Sequence, residues 1–251
     1  MMIEISGMAL LLVRARGLDH HMVRGGGGLY SAQMDVSAML ERYAYPETAP
    51  WLRANMIASL DGGIRYQGST SALGYAGDWA LMQGLRTLAD VVIMGATTVR
   101  EYGAYPSEAS KLAVVSRSLR LDFDGPLFTE APAPPVVITC GAAPAERLRE
   151  AEKHAEVMVC GTDSTDLGMA LRRLADKGYR RQLCEGGPVL LAQIAAAGWL
   201  HELCLTLSPV ITAGDAARVL DGPSIDMQRM ELCHAFQDEN YLFLRYRMAE
   251  R

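Results

Sequence analysis

The sequence has few cysteines and none of the spacings that bind zinc. Its five cysteines all lie beyond residue 139, and no two of them form a Cys-x-x-Cys pair, which is the spacing that structural zinc sites usually need. We therefore expect no metal site. The number is odd, and each cysteine lies in or beside an apolar run. This is typical of buried free thiols in a reducing compartment.

A segment able to cross a membrane is also lacking. The longest early apolar run covers residues 8–13, whereas a spanning helix needs roughly 20 apolar residues. The run has neither the basic region nor the cleavage context of a signal peptide. We expect a cytoplasmic protein that does not bind membranes.

Positive charge is not in excess either. Lys and Arg total 24 and Asp and Glu total 29, which gives a formal net charge of −5. Nucleic acids are negatively charged and attract proteins with an excess of positive charge, so we expect no nucleic-acid partner. Hydrophobic residues make up 50% of the 251 residues, which excludes a largely disordered chain and leaves room for one large domain.

The first 36 residues differ from the rest of the chain. They are polar and include four consecutive glycines at residues 25–28. The pattern predicts a leader whose order the sequence leaves open, over residues 1–36, and a single domain over residues 37–251. The alternative, a phosphate-binding loop, is disfavoured because the glycines match neither G-x-G-x-x-G nor a Walker sequence.

From residue 51 onward, short apolar runs alternate with amphipathic helical patterns. Strands are predicted at residues 51–58, 91–94, 112–115, 136–139, 157–160, 182–184 and 203–211. Helices are predicted at residues 78–89, with Asp78 as the cap, and at 144–154, 166–177 and 188–197, and another opens at residues 95–98. Strands at residues 232–236 and 241–248 form a closing hairpin. We expect an α/β fold with a mostly parallel sheet, helices on both faces and an antiparallel C-terminal hairpin.

Four polar or glycine-rich segments follow predicted strands, namely residues 59–63, 95–98, 116–118 and 185–188. Each is an ordinary turn or loop when taken singly. The carboxyl ends of parallel strands meet at one edge of a sheet, where such folds bind ligands. Together the four segments predict one ligand site.

These segments carry a family resemblance. Asn55-Met-Ile-Ala-Ser-Leu-Asp-Gly62 is followed by Leu85-Arg86, by Asp90-Val-Val-Ile-Met-Gly95-Ala-Thr-Thr98 and by Glu185-Gly-Gly-Pro188. In this order they resemble the pyrimidine reductase domain of riboflavin biosynthesis, including its stand-alone actinobacterial members. The resemblance covers residues 50–248. It implies a dihydrofolate reductase-like, three-layer α/β/α fold.

The resemblance also implies an activity, which is NADPH-dependent reduction of 5-amino-6-(5-phosphoribosylamino)uracil or a related ribosylaminopyrimidine phosphate by hydride transfer to the ribose C1′. The resemblance implies that Ser71, Arg86 and Glu185 contact the substrate. Cofactor contacts fall on Ala58, Gly95, Thr97, Thr98, Ser116, Arg117, Ser118, Gly186, Gly187, Pro188, Val189 and Leu190. The helix starts at Gly95 and Gly187 suit a pyrophosphate.

Two candidate catalytic residues are carboxylates. Glu185 precedes the glycine pair and is expected to bind the polar edge of the pyrimidine. Asp61 either donates a proton or holds its turn by accepting backbone N–H groups. The Ser116-Arg117-Ser118 loop resembles a site for the adenosine 2′-phosphate, since a guanidinium and two hydroxyls suit a dianion. Pairing of Arg117 with Asp122 or Asp124 is the alternative.

The chain departs from the family on the substrate side. Thr98-Val-Arg-Glu-Tyr102 replaces Thr-Val-x-x-Asp, a downstream arginine has no match, and Leu73 replaces a tryptophan. A pterin or folate reductase and a non-catalytic NADP-binding regulator therefore stay open as alternatives. The strands at residues 203–211 and 241–248 are expected to be apolar sheet edges, and they predict a homodimer.

Overall fold

A computed structural model describes residues 4–5, 8–9, 36–47, 50–102 and 109–249. The chain divides into two units, residues 1–30 and 31–251. In the first unit, β1 (Glu4–Ile5) pairs antiparallel with β2 (Met8–Ala9). The glycine run at residues 25–28 lies outside the described residues. The boundary at residue 36 stays a prediction.

The second unit alternates strands and helices. In chain order these are α1 (Val36–Glu41), β3 (Trp51–Ala58), α2 (Ala76–Leu88), β4 (Val91–Gly95), α3 (Ala96–Tyr102), β5 (Lys111–Val115), α4 (Pro126–Thr129), β6 (Val136–Thr139), α5 (Ala145–His154), β7 (Glu156–Val159), α6 (Leu167–Asp176), β8 (Arg181–Cys184), α7 (Pro188–Ala196), β9 (Glu202–Leu207), β10 (Met230–Asp238) and β11 (Tyr241–Met248). The predicted elements are all found, most of them within two residues of their expected ends.

The sheet of this unit has the strand order β10-β11-β9-β3-β8-β4-β5-β6-β7. Strands β3 to β9 run parallel, and β11 pairs antiparallel with both β9 and β10. The expected mostly parallel sheet with an antiparallel C-terminal hairpin is confirmed. The carboxyl ends of β3, β4, β5 and β8 therefore meet at one edge of the sheet.

Helices cover both faces of the sheet. Because neighbouring residues of a strand face opposite sides, Leu52 and Met56 of β3 pack into one core with Leu171 of α6 and Ile194 of α7. The other face carries a second core, in which Leu85 of α2 packs with apolar residues of β4, β5 and β8. The three-layer arrangement is confirmed, and it places α2 over the β3 and β8 ends that line the site.

The strands β1 and β2 and the helices α1 and α4 were not predicted. Two expectations about elements are wrong. Strand β9 ends at Leu207, because Pro209 has no N–H to donate and Val210 bonds to Leu60 instead of continuing the ladder. Asp78 is not the cap of α2, since the cap is Tyr75, without a side-chain capping bond.

The edge argument for a homodimer is also wrong. Strand β9 lies between β3 and β11, and β11 lies between β9 and β10. The two apolar strands are therefore paired on both sides, and the edge strand at their end of the sheet is β10.

In the described part of the chain, no helix is long and apolar enough to span a bilayer.

Candidate active site

A cleft of about 1590 Å³ opens at the carboxyl edge of the sheet. Its walls come from the ends of β3, β4, β5 and β8, from one face of α2 and from the start of α7. Thirteen predicted site residues line it, namely Ser71, Arg86, Gly95, Thr97, Thr98, Ser116, Arg117, Ser118, Glu185, Gly187, Pro188, Val189 and Leu190. Ala58, Asp61 and Gly186 are not part of its lining.

Arg86 and Glu185 form a bidentate ion pair in this cleft. Arg86 Nε donates to Glu185 Oε1 at 2.7 Å and its terminal nitrogen donates to Oε2 at 2.6 Å. The side chains are 6% and 9% exposed. Burial alone would lower the pKa of Arg86, but the hydrogen bonds and charge of Glu185 outweigh it and raise that pKa. The pair fixes the carboxylate plane and leaves further lone pairs on its oxygens for a ligand.

The glycines of β4 and of the Glu185-Gly-Gly-Pro segment lie in direct contact. Gly95 N–H donates to the Gly186 carbonyl at 2.8 Å. A Cβ at Gly187 would lie 2.9 Å from the hydroxyl of Thr98, and one at Gly95 would lie 3.4 Å from Gly187 N. Gly186 has φ of +86°, a conformation that side chains disfavour. Glycine at these positions therefore lets β4 and the Glu185-Gly-Gly-Pro segment pack closely against each other at the edge of the cleft.

The loop that follows β5 presents polar groups to the other end of the cleft. Ser116 is buried, and its hydroxyl has no partner among the described residues. Arg117 is exposed, and in the described part of the chain it forms no ion pair with Asp122 or Asp124. The surface-pairing alternative is therefore not what the structure contains. Asp122 instead accepts a bond from the backbone N–H of Asp124 at 3.2 Å.

A residue that the sequence did not indicate holds this loop in place. Arg147 of α5 donates to the Leu119 carbonyl at 3.0 and 2.8 Å and to the Leu121 carbonyl at 2.6 Å. Leu119 is fully buried and has φ of +52°, which is strained for a leucine. The loop is thus anchored directly after Ser116, Arg117 and Ser118, the residues that face the cleft.

Asp61 ties two loops together beside the cleft. Its carboxylate accepts bonds from the Ser59 hydroxyl at 2.5 Å and from the backbone N–H groups of Thr212 at 3.1 Å and Ala213 at 2.6 Å. The Ser59 bond and these backbone bonds lower the pKa of Asp61 to about 2. Such a carboxyl holds no proton to donate near neutral pH. The geometry favours the turn-holding role over the proton-donor role.

Asp78, which the sequence pattern predicted only as a helix cap, also lines the cleft. It is the third residue of α2 and faces the cleft. Burial raises the pKa of Asp78, and a hydrogen bond from the Thr206 hydroxyl opposes that rise. Its position in the first helical turn hid it, since acidic residues there usually serve the helix itself.

Comparison with known proteins identifies the family to which the chain belongs. Residues 50–244 match the model of the RibD C-terminal domain. The chain is 29% identical to the 2,5-diamino-6-ribosylamino-4(3H)-pyrimidinone 5′-phosphate reductase of Methanothermobacter thermautotrophicus, over 78% of this chain and 97% of that protein. It is 27% identical to the same-named reductase of Archaeoglobus fulgidus, over 70% and 88%.

Solved structures show the same fold. A pyrimidine reductase-like protein of Corynebacterium diphtheriae superposes with a TM-score of 0.73 at 26% identity, covering 80% of this chain and 93% of that one. The riboflavin biosynthesis reductase of Saccharomyces cerevisiae superposes with a TM-score of 0.69 at 16% identity, covering 86% of this chain and 100% of that one.

Proposed function

The chain belongs to the RibD C-terminal domain family and is a reductase; from that premise we propose that it uses NADPH to reduce a ribosylaminopyrimidine 5′-phosphate in riboflavin biosynthesis. The observation that carries the proposal is that one cleft contains both groups of predicted site residues. One end holds the Arg86–Glu185 pair, and the other holds the loop with Arg117. A substrate and a long cofactor can therefore meet between them.

The residues present fit a nicotinamide dinucleotide phosphate. The buried Ser116 hydroxyl lacks a partner among the described residues, and Arg117 beside it forms no ion pair with any of them, so together they suit a phosphate dianion. Gly95 and Gly187 line the cleft without side chains, so a planar ring could lie beside them. The first-turn N–H groups at Val189 and Leu190 have no partners within α7 and suit a pyrophosphate. When bound, NADPH supplies a hydride.

The chain's own groups orient the substrate. Glu185 is held by Arg86 in one plane and can accept hydrogen bonds from the pyrimidine, while Ser71 lies at the rim of the same compartment. Reduction at the ribose C1′ also requires a proton at nitrogen or oxygen. Since Asp61 is held ionised and does not line the cleft, bound water or an acid that does line it must supply that proton.

We further propose that the protein is cytoplasmic and forms a homodimer. Five free thiols, four of them buried, argue for a reducing compartment. A dimer is supported by an exposed apolar patch of Leu60, Val210 and Ile211, in which Ile211 is 78% exposed. Contiguous patches of this kind mark association surfaces.

The experiment is a cofactor titration combined with a substrate panel. We expect wild type to bind NADPH at least about tenfold more tightly than NADH, because a phosphate contributes charge-assisted bonds of roughly 1.5–3 kcal/mol each. Arg117→Ala should remove that preference, whereas Arg149→Ala, at an exposed position of α5, should keep it. Equal affinity of wild type for both cofactors would contradict the assignment of NADPH.

The substrate panel separates the remaining alternatives. We expect NADPH oxidation with ribosylaminopyrimidine phosphates and none with dihydrofolate. Oxidation with dihydrofolate alone would indicate a pterin reductase. Tight NADPH binding without oxidation in the presence of any panel member would indicate a regulator.

A further inference from the structure

The segment between β3 and α2 contains a tight turn at residues 64–71. Tyr66 N–H donates to the Ser69 carbonyl at 2.9 Å, and Ser69 N–H donates back to the Tyr66 carbonyl at 3.0 Å. The Thr70 hydroxyl donates to the Ile64 carbonyl at 3.1 Å. Because these bonds join residues from the two arms of the turn, the arms are held side by side.

Both arms of this turn contribute polar side chains to the cleft. Arg65 lines it from the first arm, and Thr70 and Ser71 line it from the second. Arg65 is half-buried, and its guanidinium makes no ion pair or hydrogen bond with any described residue. The hydroxyls of Ser69 and Ser71 lie 2.6 Å apart, so one of them donates to the other and one O–H is left for a ligand. A guanidinium beside a hydroxyl donor suits an anion.

The cleft has few other cations for an anionic substrate. Among the described residues that line it there is no lysine, and the arginines besides Arg65 are Arg86, Arg100, Arg117 and Arg120. Arg86 is committed to its ion pair, and Arg100 donates to the Arg120 carbonyl at 3.2 Å, which places it with the loop after β5. That loop is the one proposed to bind the cofactor. Arg65 is therefore the cation left for the substrate.

The position of the turn matches the length of the proposed substrate. Trp79, Met82 and Arg86 all line the cleft, since positions i, i+3 and i+7 share one face of a helix. From Arg86 back to Trp79 is about 10 Å along α2, and the turn at residues 64–71 precedes that end of the helix. A ring bound at Glu185 would project its sugar along α2 toward the turn. A five-carbon sugar with a terminal phosphate has a reach of this order.

We propose that Arg65, together with the Ser69–Ser71 hydroxyl pair, binds the 5′-phosphate of the substrate and makes the protein select the phosphorylated sugar over the free nucleoside. This inference rests on the proposed function and assigns a further residue to its substrate. Of the substrate contacts that the family resemblance implies, Arg86 is the one cation, and Glu185 neutralises it. Those contacts alone leave a phosphate dianion without a counter-charge.

Two substrates and variants of one arginine test this. The full-length protein is assayed with NADPH and either 2,5-diamino-6-ribosylamino-4(3H)-pyrimidinone 5′-phosphate or the same nucleoside without its phosphate. We expect Arg65→Gln to lower kcat/KM for the phosphorylated substrate by about ten- to a hundredfold, and to leave kcat/KM for the nucleoside and NADPH affinity within about twofold. Arg65→Lys, which keeps the charge, should retain part of the preference.

Arg218→Gln is the matched control. Arg218 is exposed and is not part of the cleft lining, although its backbone pairs with that of Gly63 beside the same turn. This variant should keep the wild-type preference for the phosphorylated substrate. It separates loss of the Arg65 contact from a disturbance of the surroundings of the turn.

The kinetic results can overturn the inference without overturning the proposed function. This is the case if wild type reduces both substrates with equal kcat/KM, if Arg65→Gln lowers both values in the same proportion, or if it lowers neither. If wild type reduces neither substrate, the proposed function fails and the inference falls with it.

A second measurement covers a variant that fails to fold or a nucleoside that is not reduced. The wild-type protein with NADP+ bound is treated with phenylglyoxal, which modifies arginine side chains, and modification of Arg65 is followed by mass spectrometry. We expect the phosphorylated substrate to protect Arg65 and the nucleoside to leave its modification unchanged, while Arg218 is modified equally throughout. Modification of Arg65 that the phosphorylated substrate does not slow would contradict the inference.

Discussion

Arg86 of α2 and Glu185 at the end of β8 meet through two parallel hydrogen bonds, although they lie 99 residues apart in the chain. Both side chains are nearly buried, and both line the cleft. A carboxylate fixed in this way loses little freedom when a ligand binds, so its remaining lone pairs are pre-organised for recognition. The pair also links the helix to the sheet at the point where the substrate is proposed to bind.

Replacing Glu185 should separate substrate handling from cofactor binding. We expect Glu185→Gln to lower kcat/KM by about ten- to a hundredfold or more, because charged bonds to the substrate are lost, while NADPH affinity changes little. It should also destabilise the fold by about 3–5 kcal/mol, since Arg86 is left buried without its counter-ion. Steady-state kinetics and urea denaturation measure the two effects. Unchanged kinetics would mean that Glu185 serves the fold alone.

Asp61 should act on stability rather than on chemistry. The pKa of its carboxyl falls from 3.8 to about 2 in the folded protein. A carboxyl whose pKa is lowered by folding stabilises the folded state above about pH 4. This stabilisation is lost as the pH falls from about 4 to about 2 and the carboxyl becomes protonated. We therefore expect Asp61→Asn to be less stable than wild type at pH 7, with the difference shrinking toward pH 2. Its kcat should stay within about tenfold of wild type; a larger loss would restore the proton-donor role.

Arg147 should control the loop that is proposed to bind the cofactor phosphate. Arg147→Met keeps much of the aliphatic volume and removes three hydrogen bonds to the Leu119 and Leu121 carbonyls. We expect NADPH affinity to fall about tenfold and NADH affinity to change less, because a loosened loop displaces Arg117. Isothermal titration of both cofactors measures this, with Arg173→Met of α6 as the control. An equal loss for both cofactors would indicate general destabilisation instead.

The apolar patch should mediate dimer formation. Leu60 N–H donates to the Val210 carbonyl at 2.8 Å, which holds the two loops of the patch together next to Ile211. We expect a dimer mass in sedimentation equilibrium at micromolar protein, and a shift to monomer in Ile211→Asp. Met227→Asp, at an exposed residue away from these loops in sequence, should stay dimeric. A monomer mass for wild type would refute the homodimer.

The local pattern of apolar residues predicted the fold well, because each helix and strand shows the periodicity of its own type of structure. Strands β3, β6 and β11 have the expected bounds, since apolar runs end where polar or turn residues begin. The end of β9 was missed because the apolar residues Val210 and Ile211 follow it and extend the apolar pattern. Pro209 was the signal in the sequence, since a proline cannot donate to the ladder of a central strand.

The candidate site was predicted as a set of residues rather than as an arrangement. The strand ends brought thirteen expected residues to one cleft. That Arg86 binds Glu185 depends on how α2 packs over β8, and no local pattern encodes that contact. Asp78 was missed as a cleft residue partly for the same reason, because the Thr206 hydroxyl that bonds to it lies 128 positions later in the chain.

Isotope transfer tests the central claim most directly. The wild-type protein is incubated with a ribosylaminopyrimidine 5′-phosphate and NADPH that carries deuterium at C4 of the nicotinamide, using each stereoisomer in turn. The account predicts that one isomer delivers deuterium to C1′ of the ribitylamino product, detected by mass spectrometry and by deuterium NMR. NADPH oxidation with no deuterium at C1′ from either isomer, or no oxidation at all, would contradict it.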